Sequence, residues 1–431
     1  IVPASTTYTW TAPVVTGGIT GGSAQPVGQP IISQTLTNPT NTVQTATYTV
    51  TPTSGAAGTC VGATFQITVT VNPTPVIPNQ TATICSGTAF TVNPINGNPT
   101  AATIVPAATT YSWAAPVVTG GITGGSAQTG QASISQTLTN PTNTTQTATY
   151  TVTPTSGAAG ACVGATFQVT VTVNPTPVIP AQTATICSGT AFTISPVNAA
   201  PTTIVPAGTT YTWTAPVVTG GITGGSAQPV GQPNISQTLT NPTNTPQSAT
   251  YTVTPTSGAA GSCVGATFQI TVTVNPTPVI PAQTSTACSD ETFNITPANG
   301  GATIVPAGTT YSWPAPVVTG GMTGGSAQTG QPSISQTLTN LSGGLQTATY
   351  TVTPTSGAAG ACVGASFSVV ISVNPEPVAQ ALSTIERCSG QNINFNIQDI
   401  INNVPPFAGG NSVTSKFKYS VVADFPLDVS P

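Results

Sequence analysis

Along Ala63-Thr64-Phe65-Gln66-Ile67-Thr68-Val69-Thr70-Val71, apolar and polar residues alternate without a break. Phe65, Ile67, Val69 and Val71 share one face, and Thr64, Gln66, Thr68 and Thr70 the other. That period of two is the signature of a half-buried strand. Thr45-Ala46-Thr47-Tyr48-Thr49-Val50-Thr51 alternates in the same way, with Tyr48 and Val50 inward and threonines outward. Between the two lies Ser54-Gly55-Ala56-Ala57-Gly58, which reads as a flexible hairpin connection. Threonine suits a strand and keeps the outer face soluble without charge. Helix signals are missing, because proline or glycine recurs every few residues and no 3.6-residue stripe forms. No apolar run approaches the ~18–20 residues of a membrane-spanning helix, so no transmembrane segment is expected.

The pattern repeats with a period of about 100 residues. Tyr8-Thr9-Trp10 returns as Tyr111-Ser112-Trp113, Tyr211-Thr212-Trp213 and Tyr311-Ser312-Trp313, each followed by Pro-Val-Val-Thr-Gly-Gly from Pro13, Pro116, Pro216 and Pro316. This period exceeds that of solenoid units and matches a small domain with its own core. Val71-Asn72-Pro73-Thr74-Pro75 reads as the end of a last strand running into a proline joint, and it recurs at Asn174-Pro175, Asn275-Pro276 and Asn374-Pro375. The expected units are a partial repeat over 1–72, whole repeats over 73–174, 175–275 and 276–374, and the start of a divergent β domain over 375–431. With no initiator Met and a start inside a repeat, the sequence reads as a piece of a longer chain.

About seven short strands per repeat, one Trp, one Tyr in the penultimate strand and two cysteines predict an all-β chain. The expected architecture is a tandem array of Ig-like β-sandwiches of about 100 residues each. Trp10, Trp113, Trp213 and Trp313 are the expected centres of the cores.

Charge then narrows the function. The first 289 residues contain no Asp, Glu, Lys, Arg or His, and the chain has no histidine at all. General acid–base catalysis, hard-metal binding and phosphate clamping all need ionisable side chains. No enzyme activity and no cofactor are therefore expected. Three basic residues in the whole chain cannot make a phosphate footprint, which excludes nucleic acid as a partner.

The eight cysteines stand at 60, 162, 263 and 362 and at 85, 187, 288 and 388, two per repeat. Without His or Cys-x-x-Cys they do not read as zinc ligands. They read as structural disulfides of an oxidising, extracellular compartment. Pairing within repeats is expected, as Cys85–Cys162, Cys187–Cys263 and Cys288–Cys362, with the partners of Cys60 and Cys388 outside the sequence. Cys60–Cys85 would have to span a joint between two sandwiches placed end to end, beyond disulfide reach. One objection remains: a plain immunoglobulin topology places the turn before the second strand and the last hairpin at opposite ends. Either the strand order differs from that topology or the pairing does.

Other features have bland readings beside sharper ones. Val117-Val118-Thr119-Gly120-Gly121-Ile122-Thr123-Gly124-Gly125 lacks the Lys of a phosphate cradle and reads as a flexible loop, or as an apolar contact patch repeated along the array. Outward threonine rows read as solvated strand faces, with an ice- or glycan-binding array as the alternative. Asn-x-Ser/Thr sequons stand at Asn79, Asn143, Asn234, Asn294 and Asn340, of consequence only in a eukaryotic host. Asp290-Glu291 is an acidic pair in one repeat only, too little for a repeated calcium hinge. Lys416 and Lys418, alternating with Phe417 and Tyr419, read as the outer face of one strand.

The succession Ile84-Cys85-Ser86-Gly87, Tyr111-Ser112-Trp113, Thr149-Tyr150-Thr151-Val152, Ala161-Cys162-Val163-Gly164 and Val171-Thr172-Val173-Asn174-Pro175 resembles a known family. It is similar to the tandem PKD-like/Ig-like repeats of giant surface adhesins of gliding Bacteroidetes. The resemblance covers residues 1–374; beyond them it keeps Cys388-Ser389-Gly390 and a remnant at Tyr419-Ser420, with Val421 in place of Trp. It implies export by the type 9 secretion system, attachment at the outer membrane on the cell surface, and a filament moved by the gliding machinery against an external surface or polysaccharide. The expected function is a stalk segment of such an adhesin. The rival expectation is a non-catalytic spacer in a large secreted enzyme, such as a polysaccharide hydrolase.

Overall fold

The structure is a computed structural model that describes residues 1–378 and, beyond them, 388, 391–392, 396–402, 410 and 412–417. Apart from the helix Ile397–Ile401, every regular element described is a strand. The described residues form an all-β tandem array of sandwiches.

The repeat that ends at Asn174 shows the plan. Its strands are Gln80–Cys85, Thr88–Val92, Thr110–Trp113, Val117–Val118, Gln128–Gln131, Ile134–Leu138, Gln146–Thr155 and Phe167–Asn174, eight where about seven are expected. Thr88–Val92 and Ile134–Leu138 form a two-stranded sheet of their own. The other six form the second sheet, with Phe167–Asn174 between Gln146–Thr155 and Gln80–Cys85. The first strand runs parallel to the last, in register from Gln80↔Val169 to Cys85↔Asn174; the remaining pairs are antiparallel. The same sheet order recurs from Gln182–Cys187 to Phe268–Asn275 and from Gln283–Cys288 to Phe367–Asn374.

Alternation places the core. Phe167, Val169, Val171 and Val173 are buried, as are Ala148, Tyr150 and Val152 on the neighbouring strand. Each of the larger side chains contributes on the order of 1.5–3 kcal/mol by leaving water. Trp10, Trp113, Trp213 and Trp313 are all buried. Trp113 meets Tyr150 edge to face at 6.3 Å. Its Nε1 donates to the Ser126 carbonyl at 3.1 Å, while Tyr150 Oη donates to Gln136 Oε1 and Gln136 Nε2 donates back to Ser126. This Trp–Ser–Gln–Tyr knot recurs with Trp10, Ser23, Gln34 and Tyr48, and with Trp213, Ser226, Gln237 and Tyr251. Around Gln336 and Tyr350 it lacks only the indole donor of Trp313.

Residues 1–72 supply five strands, with none corresponding to Gln80–Cys85, Thr88–Val92 or Ile134–Leu138. The expected inward face of the last strand is therefore partly bare. Phe65 is 41% and Val69 36% exposed, against 3% and 0% for Phe167 and Val171. The cause is the missing cover, since the strand sequences are nearly the same.

A buried asparagine ties each sandwich shut. Asn241 is 1% exposed. Its Nδ2 donates to the carbonyls of Thr245 and Val274 at 2.8 and 2.9 Å, and its Oδ1 accepts from the backbone and hydroxyl of Thr243. Asn241→Ala strands these groups in a dry site, and the repeat is expected to lose about 1–3 kcal/mol in denaturant unfolding, with little loss in Thr243→Ala. Equal losses in the two variants would contradict this assignment.

The loops expected to be flexible are pinned. Thr119-Gly120-Gly121-Ile122 closes a turn through Ile122 N to Thr119 O, and Thr123 bridges Thr139 in both directions. Gly124 has φ +92°, and a Cβ there would stand 2.2 Å from the Thr137 carbonyl. Only glycine fits. The turn buries Ile122 and leaves Val117 exposed. The hairpin Ser156–Cys162 is likewise closed by Ser156 N to Cys162 O at 2.9 Å.

Within 375–431, expected to begin a divergent β domain, the described residues hold the helix Ile397–Ile401, capped by Asn396. Lys416 and Phe417 are exposed and outside any strand. Tyr419-Ser420 and Lys418 lie outside the described residues.

Candidate functional site

The junctions between repeats bring cysteine and asparagine side chains together. In each whole repeat the first strand ends in cysteine beside the asparagine that ends the last strand: Cys85↔Asn174, Cys187↔Asn275 and Cys288↔Asn374. Ser86 N donates to the Asn174 carbonyl at 2.9 Å.

The proline joint is not a free linker, as the sequence suggests. Pro175, Pro177 and Ile179 alternate inward and are buried. Thr176 donates to the Ser86 carbonyl of the preceding repeat at 3.1 Å. Two residues later Val178 exchanges backbone hydrogen bonds with Ile204 of the following one. A Cβ at Gly265 would stand 2.3 Å from the Pro177 carbonyl, so the joint packs backbone to backbone. The short segment is held from both sides.

The hairpin of the following repeat completes the contact. The backbone of Gly261 approaches the Asn174 amide, and in the next junction Asn275 Nδ2 donates to the Ala359 carbonyl. These contacts bring together cysteines from different repeats. Cys85 is bonded to Cys263 and Cys187 to Cys362, each with Cα atoms 5.6 Å apart. The expected within-repeat pairs Cys85–Cys162, Cys187–Cys263 and Cys288–Cys362 are thus corrected. The reason is strand direction. Cys85 stands at the far end of Phe167–Asn174, and Cys162 precedes its near end. A strand of that length, at ~3.3 Å per residue, separates them by roughly 25 Å, against a disulfide limit near ~7 Å. Among the described residues, Cys60, Cys162, Cys288 and Cys388 have no disulfide partner.

The remaining candidates are local structure. Asp290 accepts from the Thr339 hydroxyl and Glu291 from the Cys288 amide. Among the described residues, no three of His, Cys, Asp and Glu are grouped as metal ligands. Asn340 is 1% exposed with its amide hydrogen-bonded on both sides, so a glycan there does not fit the folded repeat. Asn79 uses its Oδ1 to accept from the Gln168 amide. Val14, Val117, Val217 and Val317 are each more than three-quarters exposed, one apolar point per repeat beside the glycine turn. Sequence reading missed the buried Asn and the Ser–Gln–Tyr knot; the recurrence of Thr-Asn-Pro-Thr at Asn38, Asn140 and Asn241 was the available signal.

The family model of the PKD-like domain matches four times, over residues 2–75, 82–177, 184–278 and 285–377. The chain belongs to the PKD-like domain family. No curated protein matches it. Among solved structures, mouse cadherin-23 EC22-24 aligns at 14% identity over 70% of this chain and 97% of that one, with a TM-score of 0.21. Sidekick-1 immunoglobulin domains 1-4 align at 12% identity over 86% and 91%, with a TM-score of 0.19. An endo-fucoidan hydrolase of glycoside hydrolase family 107 aligns at 13% identity over 70% and 43%, with a TM-score of 0.17. At these scores the likenesses carry no argument about activity. Tandem PKD-like repeats joined by disulfides are consistent with an extracellular stalk or spacer.

Proposed function

We propose that this chain is a stalk segment of a very large secreted adhesin displayed on the outer membrane, exported by the type 9 secretion system and moved by the gliding machinery. Its sequence is similar to the repeats of the gliding motility adhesin SprB. In this reading the units are 73–174, 175–275 and 276–374, with a partial unit over 1–72 and the start of another over 375–431. The adhesion target is an external surface or polysaccharide, met by the apolar valine points repeated along the array. The observation that carries the reading is the junction. Two successive junctions use the same joint, the same asparagine and the same cross-repeat disulfide. Junctions repeated on one plan and pinned from both sides transmit force along the array.

The test is removal of 175–275 from the full-length protein in its own cell. Cys362 then takes the place of Cys263 opposite Cys85, and a Cys85–Cys362 bond is expected. The filament should shorten by roughly 40 Å, one sandwich plus its joint. Surface display should persist, and adhesion should fall only slightly, as one contact among many is lost. Abolished adhesion at normal display would refute the stalk reading.

A further inference from the structure

We infer that the interleaved disulfides turn residues 85–362 into a cross-braced unit that stays in one piece after any single backbone cleavage, and after two cleavages in different segments. The inference rests on connectivity and not on the adhesin reading. The bonds join Cys85 to Cys263 and Cys187 to Cys362, so their loops overlap in the order 85, 187, 263, 362. These positions divide the chain into segments 85–187, 187–263 and 263–362. The first runs from one disulfide to the other, the second runs back, and the third runs forward again. All three therefore connect the same two crosslinks, in parallel. A cut in one segment leaves two covalent paths, and cuts in two segments leave one. With one cut per segment, only cleavage of all three parts the unit. Within-repeat pairing behaves otherwise, since each joint would then hang on a single backbone strand.

The property matters where the chain is open to attack. Exposed apolar residues in loops, Ile95, Val197 and Leu341 among them, offer sites to extracellular proteases of broad specificity. Trypsin-like enzymes find no Lys or Arg before Arg387. A nick made by any other protease would leave the array joined. Load is shared in the same way, because tension between the two crosslinks divides over parallel segments.

The experiment places a short recognition sequence for a specific protease after Ala181, after Val197 or after Ala282, singly and together, in the 431-residue chain with free thiols alkylated. A fourth site after Gly58 lies before Cys85. After complete cleavage, non-reducing denaturing gels should show one band of unchanged mass for each single site and each pair within 85–362. Two fragments should appear on reduction of each singly cut protein. The triple-site protein should part without reductant, and so should the Gly58 protein. In Cys85→Ser/Cys263→Ser, cleavage after Ala181 alone should part the chain. Release of a fragment from the intact-cysteine protein by one cut after Ala181 or Ala282 would overturn the inference. Should the insertions impair folding, peptic mapping of the unmodified protein decides the same point. Peptides linked Cys85–Cys263 and Cys187–Cys362 support it, and peptides linked Cys85–Cys162 overturn it.

Discussion

Trp113→Ala is expected to lower the stability of its repeat by about 3–5 kcal/mol, the usual cost of truncating a buried tryptophan. A domain of this size is stable by only about 5–15 kcal/mol, so the variant repeat should be close to unfolding at room temperature. The loss has two parts. The indole fills the space against Tyr150, and its Nε1 supplies one donor to Ser126. Trp113→Phe keeps most of the packing and leaves the Ser126 carbonyl with the Gln136 donor, so it should lose about half as much. The cores are separate clusters, one per repeat. Hydrogen exchange should therefore show the repeat around Trp113 opening first, while the amides of Val272 and Ile371, in the cores of the two repeats that follow, keep their protection. Uniform loss of protection across all repeats would show that the sandwiches unfold as one block instead.

Period-two alternation made the strands legible. Phe65-Gln66-Ile67-Thr68-Val69 has its counterpart in Phe167-Gln168-Val169-Thr170-Val171, where the apolar residues are buried as the pattern requires. Alternation reports which face a side chain takes, and the buried face is decided by two neighbours in space. It says nothing of whether both neighbours are present, and so the same pattern is partly exposed around Phe65. The joints were less legible. Asn-Pro-Thr-Pro reads as a linker because proline cannot donate to a ladder, yet the joint at Pro175 and Pro177 is held by residues far along the chain, Ser86 and Gly265. Local sequence does not carry such contacts. The cysteine pairing failed on a related point. Which end of a sandwich a residue occupies follows from strand direction, and the parallel first strand places Cys85 beside the next repeat. The opposite-ends objection raised from topology was the correct signal.

Between about pH 5 and 9 the unfolding midpoint of the chain is expected to be nearly flat, because the first 289 residues carry no titrating carboxylate, imidazole or amine in their side chains. Above about pH 10 it should fall steeply. Burial pushes the phenols of Tyr150, Tyr251 and Tyr350 up from 10.0 to about 12. Desolvation penalises the phenolate, and the neutral hydroxyl is needed as the donor to Gln136, Gln237 and Gln336. A folded-state pKa raised above the unfolded value gives a contribution that is whole below about pH 10. It is lost as pH rises from about 10 towards about 12, where the unfolded chain ionises and the folded one resists. Each tyrosine should account for roughly 2–3 kcal/mol across that window, at about 1.36 kcal/mol per pH unit. Thiols must be alkylated first, because thiolates of the free cysteines would reshuffle the disulfides in the same range. The check is thermal or denaturant unfolding at about pH 7, 9, 10, 11 and 12, repeated with Tyr150→Phe, Tyr251→Phe and Tyr350→Phe combined. The triple variant should be weaker near pH 7, by about 1 kcal/mol per lost hydrogen bond, and should show a much shallower alkaline limb. A wild-type midpoint unchanged at the alkaline end would rule out the buried phenols as the cause. An equally steep limb in the triple variant would rule out these three, leaving Tyr48, Tyr111, Tyr211 and Tyr311, whose phenols burial also raises.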